Sequence, residues 1–269
     1  MNRLPTIVAA RSSVEIKSYF RQRESLIFNF LFPIILLVIF ASAFGSQDIE
    51  VGPGQSITFA HLFLPGIVAV GVFLSSFQTL AIEIAIERDN GTLKRLRGTP
   101  MPAAAYFIGK IVQVVVTTVI QLGLLLIVAV TFYDIPMPND SDTWLRFGWL
   151  VLLGSASGTA LGIAYSSIPP NTRSASVMVT LPVIILSFIS GVYFTWNQLP
   201  DWMQNVASLF PLKWIAQGMR SVFLPDNPAA FEAQDSWQTP QTAIVMAVWL
   251  VAGLVLARLT FRWLPKGDG

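Results

Sequence analysis

Six stretches of this chain, at about residues 25–44, 62–82, 104–132, 145–168, 174–196 and 241–261, run almost without charge for about 20 residues or more. A helix rising 1.5 Å per residue needs about 20 residues to cross a hydrocarbon core of roughly 30 Å, so each stretch can span a bilayer. Strands of a membrane barrel would instead alternate apolar and polar positions in segments of about ten. Runs such as 111–130 do not alternate. The pattern predicts an all-α membrane protein with six transmembrane helices.

Ahead of the first span, Arg3, Arg11, Lys17, Arg21 and Arg23 are interleaved with Ile7, Val8, Val14, Ile16, Tyr19 and Phe20. Residues 1–24 therefore read as an amphipathic helix lying along the membrane surface, with a solvated basic tail as the alternative. A cleavable signal peptide would show one short apolar run and a small-residue cleavage site, whereas the first run here is full length. Residues 25–269 form the six-helix domain.

Charge orients these spans, because loops on the cytoplasmic side retain Lys and Arg. With the N-terminus inside, 14 basic residues fall on that side: the five above, then Arg88, Lys94, Arg95, Arg97, Lys110, Arg173, Arg258, Arg262 and Lys266. Only Arg146, Lys213 and Arg220 fall on the other, with acidic residues from Asp48 and Glu50 to Asp235. Both termini are expected in the cytoplasm.

Composition narrows the chemistry. The chain is 54% apolar and only 12% charged, against roughly 25% charged in soluble domains, which excludes disorder. A net charge of +2 gives no reason to expect nucleic acid. With no cysteine and one histidine, no metal centre is expected. No span carries a titratable residue near its centre, which argues against a proton-driven pump. Asn29, Gln78, Gln113 and Gln121 are read as interhelical hydrogen-bonding groups. Gly154-Ser155-Ala156-Ser157-Gly158 lacks the central serine of a nucleophile elbow. Gly154, Gly158 and Gly162 instead recur every four residues and give a smooth helix face for close packing. No Walker-type phosphate loop occurs, so no catalytic residue and no cofactor is assigned to this chain.

The most informative stretch, residues 83–103, joins spans two and three. Glu83 and Glu87 lie one turn apart at a helix C-terminus, where the macrodipole disfavours negative charge, a placement that suggests an external partner. The run continues Glu87-Arg88-Asp89-Asn90-Gly91-Thr92-Leu93-Lys94-Arg95-Leu96-Arg97-Gly98-Thr99-Pro100. Asn90-Gly91 stops the first helix, Thr92 can cap a short second one, and Pro100 and Pro102 end it. The expected result is a helical hairpin with charge at its tip; a solvated loop that only fixes topology is the alternative.

Glu-Arg-x-x-Gly-Thr-Leu, a basic residue and then Leu-Arg-x-Thr-Pro, at the end of the second of six spans, resembles the membrane subunit of type-2 ATP-binding-cassette exporters. The resemblance extends along the whole chain. It implies that Glu83, Glu87, Arg88, Asp89, Gly91, Thr92, Leu93, Arg95, Leu96, Arg97 and Pro100 belong to a coupling segment that docks on a separate ATPase. Two ATPase copies would bind the ATP and Mg, and a second permease chain, identical or similar, would complete the path in a plasma membrane of bacterial inner-membrane type. The stretch 197–225 also resembles the family pattern, with Leu199-Pro200 at its start, Pro211 in its middle and Arg220 at its close. Trp202, Val206, Leu209 and Phe210 share one helix face, Pro211 breaks the run, and a second amphipathic turn carries Trp214, Gly218 and Phe223. Two short helices dipping into the outer leaflet are implied; a surface loop with an aromatic belt is the alternative. The expected function is export of an amphipathic cargo, a drug, lipid or lipid-linked glycan. A membrane scaffold that recruits a partner through the same hairpin, and a sodium-coupled carrier, remain as alternatives.

Overall fold

The computed structural model describes residues 4–45, 48–52, 55–228, 231–232 and 236–264. Arg3, Asp235 and Lys266, used above to orient the chain, lie outside the described residues. The chain opens with α1 (Leu4–Arg21) and the single turn α2 (Arg23–Leu26). A π turn (Ile27–Leu31) then leads into α3 (Phe32–Phe44). Strands β1 (Asp48–Gly52) and β2 (Gln55–Thr58) form an antiparallel hairpin that pairs Asp48 with Thr58 and Ile49 with Ile57. Next come α4 (Phe59–Phe73), a second π turn (Leu74–Gln78), α5 (Thr79–Asp89) and the short α6 (Thr92–Arg97). Helices α7 (Ala103–Tyr133), α8 (Ser141–Tyr165) and α9 (Thr172–Ile189) follow, then α10 (Asp201–Ala207), α11 (Pro211–Phe223) and α12 (Thr239–Thr260).

Six of these segments are long and apolar enough to cross a membrane: Ile27–Phe44, Phe59–Asp89, Ala103–Tyr133, Ser141–Tyr165, Thr172–Ile189 and Thr239–Thr260. The protein is an all-α, multi-pass membrane protein. Capping side chains set several starts: Thr58 accepts from His61 N, Asp140 from Thr143 N and Asn171 from Ser174 N. Span two is longer than the apolar run because α4, the π turn and α5 form one continuous 31-residue rod. Span five is shorter, and Trp196 falls in a separate turn (Trp196–Gln198).

The rod is the centre of the bundle. Its apolar window is 89% buried, against 22%, 22% and 17% for the windows of the first, fifth and sixth spans. Glycine lets α8 lie directly on it. A Cβ on Gly162 would sit 2.8 Å from the carbonyl oxygen of Phe77, and one on Gly158 would collide with the Ser76 hydroxyl. Gly154 meets Ile215 and Val72.

Helix α11 carries the amphipathic pattern read from the sequence, and all 13 of its residues are buried. It runs antiparallel beside α8, with Phe223 against Phe147, Gly218 against Leu150 and Ile215 against Gly154. Gly154 lies just past the midpoint of α8, so Pro211, at the start of α11, reaches the middle depth of the bundle. Trp249, midway along α12, donates its indole N–H to Leu209 O at 2.8 Å, which fixes the α10–α11 joint at the same depth.

Candidate functional site

Helix α5 ends at Asn90, and Gly91 turns the chain with φ +76°, a left-handed conformation that favours glycine. Asn90 Oδ1 accepts from Thr92 N at 3.0 Å, so Asn90 supplies the side-chain oxygen and Thr92 is the first residue of α6 rather than its cap. Leu93 is fully buried among Leu80, Ile84 and Tyr106, with Leu96 packed beside it, which pins α6 to the bundle. Lys94, Arg95, Arg97 and Pro100 are exposed. Arg88 and Asp89 face α9 instead. Arg88 Nη2 donates to Pro169 O at 3.0 Å, and Asp89 Oδ2 accepts from Thr172 N and Oγ1 at 2.8 and 2.7 Å.

The root of the hairpin is an ionic cluster. Lys110 Nζ lies 2.7 Å from Glu87, 3.2 Å from Glu83 and 2.9 Å from Glu15. Gln113 Nε2 donates to both oxygens of Glu83, and the Tyr106 hydroxyl donates to Glu87 at 2.7 Å. Arg11 pairs with Glu15 and stands over the Tyr106 ring. One turn or so further along α1, burial pushes the Tyr19 phenol up to about 12, so it stays neutral and accepts from Asn29 at 2.7 Å. Three helices, α1, α5 and α7, therefore meet at one lysine. Two expectations are corrected here. Lys110, counted in a loop, is the eighth residue of α7 and is buried. Glu83 and Glu87 direct their carboxylates inward to Lys110, which offsets the dipole penalty without an outside group.

The cluster also shows which face of α1 meets the bundle. Its buried positions are Ser12, Glu15 and Tyr19, whereas Val14 and Phe20 are exposed. The polar stripe faces α7 because buried carboxylate and ammonium must be paired. Glu15, Tyr106 and Lys110 were not singled out from the sequence as site residues. The available signal was spacing: Glu83 and Glu87 on α5, Lys110 and Gln113 on α7, and Arg11 and Glu15 on α1 recur at helical intervals. Of the four polar span residues, Asn29, Gln113 and Gln121 make interhelical hydrogen bonds, the last with Ser75.

At the far end of the bundle, Pro200 precedes α10 and Pro211 begins α11, where a missing N–H is tolerated. Trp202 is exposed, while Trp214 is buried and donates to Ser208 O at 2.8 Å. Arg220 Nε bonds Glu232 at 2.6 Å and its Nη1 donates to Gly191 O at 2.8 Å. Lys213 bonds Gln217, with its ammonium 3.9 Å from the Trp214 ring centre. These two cations, counted above as loop charges, are buried in α11.

The family model described as ABC-2 type transporter matches residues 9–224, a stretch that takes in α1 from Ala9 onward, the hairpin, its root and α11. The chain belongs to the ABC-2 type transporter family. It is 21% identical over 171 residues to the probable multidrug ABC transporter permease YbhR of Escherichia coli K12, a match covering 64% of this chain and 46% of that one. The chain thus spans about half the length of that relative. It is 22% identical over 205 residues to the putative transport permease YvfS of Bacillus subtilis 168, covering 76% and 80% of the two chains. With the inner membrane transport permease YadH of Escherichia coli K12 it shares 19% identity over 196 residues, covering 72% and 75%. The candidate site of this ABC-2 chain is an exposed basic hairpin whose root is fixed to two other helices.

Proposed function

We propose that the chain is the permease half of an ATP-driven exporter. Two such chains, identical or similar, line the path, and two separate ATPase subunits bind ATP and Mg and carry out the hydrolysis. The observation that carries this reading is the Lys110 joint. Any push on the exposed Lys94, Arg95 and Arg97 of α6 is delivered through α5 to Glu83 and Glu87, and from them through Lys110 to α7 and α1. Closure of the ATPase pair on binding ATP moves this hairpin and biases the bundle between two states that expose the path differently. The hairpin end and both termini face the cytoplasm.

An amphipathic cargo fits the walls. Phe40, Phe59, Phe63 and Tyr193 gather around a cavity of about 370 Å³ at the far end of the bundle, with Arg220 at its edge. Aromatic faces and a few polar groups suit a cargo with an apolar body. The family relative YbhR is named as a probable multidrug permease, which supports the same cargo class. The test is co-purification of the chain with its candidate ATPase. Reversing the hairpin charge with Lys94→Glu, Arg95→Glu and Arg97→Glu together is expected to release the ATPase while leaving thermal stability unchanged. Full retention of the ATPase by this variant overturns the reading.

A further inference from the structure

A second cavity, of about 330 Å³, opens between α9 and α12. Its floor is formed by Phe73, Phe77 and Tyr165, and Trp249 and Pro182 stand on its walls. Four side chains around it carry polar atoms, and each of these donates to a backbone carbonyl. Tyr165 donates to Met178 O, Ser167 to Ala164 O, Trp249 to Leu209 O and Thr260 to Leu256 O. The surface left to an occupant is hydrocarbon, so a molecule seated here makes no hydrogen bond along its length. From Trp249 to Thr260 the cleft follows α12 for about 16 Å, roughly half the thickness of a hydrocarbon core and so the reach of one acyl chain in one leaflet.

The mouth of the cleft is different. At the hairpin end it is bounded by Ser167, Ile168 and Thr260. Next to Ile168, Pro169 O holds Nη2 of Arg88, and Nη1 of that guanidinium is buried with no partner among the described residues. Arg88 as a whole is only 6% exposed. Its neighbour Asp89 has its carboxylate engaged by Thr172. Arg262, two residues beyond Thr260, is exposed, and Arg88 feels the attraction of Asp89 more strongly than the repulsion of Arg262. Two arginines thus share one carboxylate, itself engaged by Thr172, and the unused donor leaves room for a further anion where the apolar cleft meets the membrane surface.

We propose that this cleft binds an anionic phospholipid, one acyl chain lying between α9 and α12 and the phosphate held by Arg88 and Arg262. The chain supplies apolar burial without specificity, and the two arginines select the charged headgroup. The site needs no ATPase and no cargo, so it stands apart from the export reading.

Native mass spectrometry of the detergent-solubilised full chain tests the site, with dioleoyl phosphatidylglycerol and dioleoyl phosphatidylcholine as probes of equal chains and different charge. The expected result is preferential retention of phosphatidylglycerol. Arg262→Gln is expected to lower that preference about fivefold, the effect of one basic residue at a lipid surface. Lys17→Gln, which removes the same charge from α1, should leave it unchanged. Ala164→Phe, which fills the floor of the cleft, should reduce retention of both lipids. Equal retention of the two lipids by the wild-type chain, no retained lipid at all, or a preference untouched by Arg262→Gln each overturns the proposal.

Discussion

The ammonium of Lys110 lies 2.9 Å from a carboxylate oxygen of Glu15, joining the middle of the third span's first turns to the surface helix at the start of the chain. Both side chains are almost wholly buried, at 2% and 3% exposure. Two cations, Lys110 and Arg11, face three carboxylates, Glu15, Glu83 and Glu87. Such a cluster is weak as a source of net stability but costly to break, since removal of one partner leaves the others charged and buried.

Lys110→Met is therefore expected to destabilise the chain by about 3–5 kcal/mol, the range for breaking a buried ion pair. Chemical unfolding of the detergent-solubilised protein reads this directly. A change under about 1 kcal/mol, the range of exposed pairs, would show that the cluster is solvated instead.

Burial lifts the Glu15 carboxyl above its ordinary 4.5, with the Lys110 ammonium opposing and the Glu87 carboxylate adding to the rise. The folded chain thus holds this proton more tightly than the unfolded chain. The stability it contributes is complete below pH 4.5 and is lost as pH rises through the folded value. Melting temperature followed upward from pH 4.5 should fall on this account, and Glu15→Gln should flatten that part of the curve. Parallel curves for the two proteins would contradict the assignment.

The six spans were legible from apolar length alone, because a bilayer imposes that length on any helix that crosses it. The hairpin was legible from Asn90-Gly91 and the paired prolines, which punctuate the backbone locally. The joint was not. Lys110 lies near a span end, where a cation is ordinarily solvated, and only the approach of α1 and α5 converts it into a buried centre. Nor was the depth of α11 readable, since Trp214 and Arg220 suit a surface helix as well as one enclosed by α4, α8 and α12.

Gly162→Ala should cost about 1–3 kcal/mol, as overpacking does, because its Cβ would press on the backbone oxygens of Phe77 and Ser76 at 2.8 and 3.2 Å. Gly123→Ala, where a Cβ meets nothing within 4 Å, should instead stabilise α7 by about 1 kcal/mol. Equal effects of the two substitutions would show that α8 does not lie against the rod as described.

The chain lacks cysteine, so single cysteines report its orientation cleanly. With a membrane-impermeant thiol reagent on intact cells, Asp142→Cys at the start of α8 should label at once. Lys94→Cys on α6 should label only after permeabilisation. The reverse pattern would invert the proposed topology.

ATP turnover by the assembled complex tests the coupling claim most directly, measured side by side for wild type, Glu87→Gln and Asp226→Asn. Glu87 bonds Lys110 and Tyr106 at the root of the hairpin, whereas Asp226, among the described residues, accepts an exposed bond from Trp237. The account predicts that Glu87→Gln keeps its ATPase subunits yet turns over ATP about tenfold more slowly or worse, the loss of one charge-assisted hydrogen bond, while Asp226→Asn matches wild type. Turnover by Glu87→Gln equal to that of Asp226→Asn would contradict it.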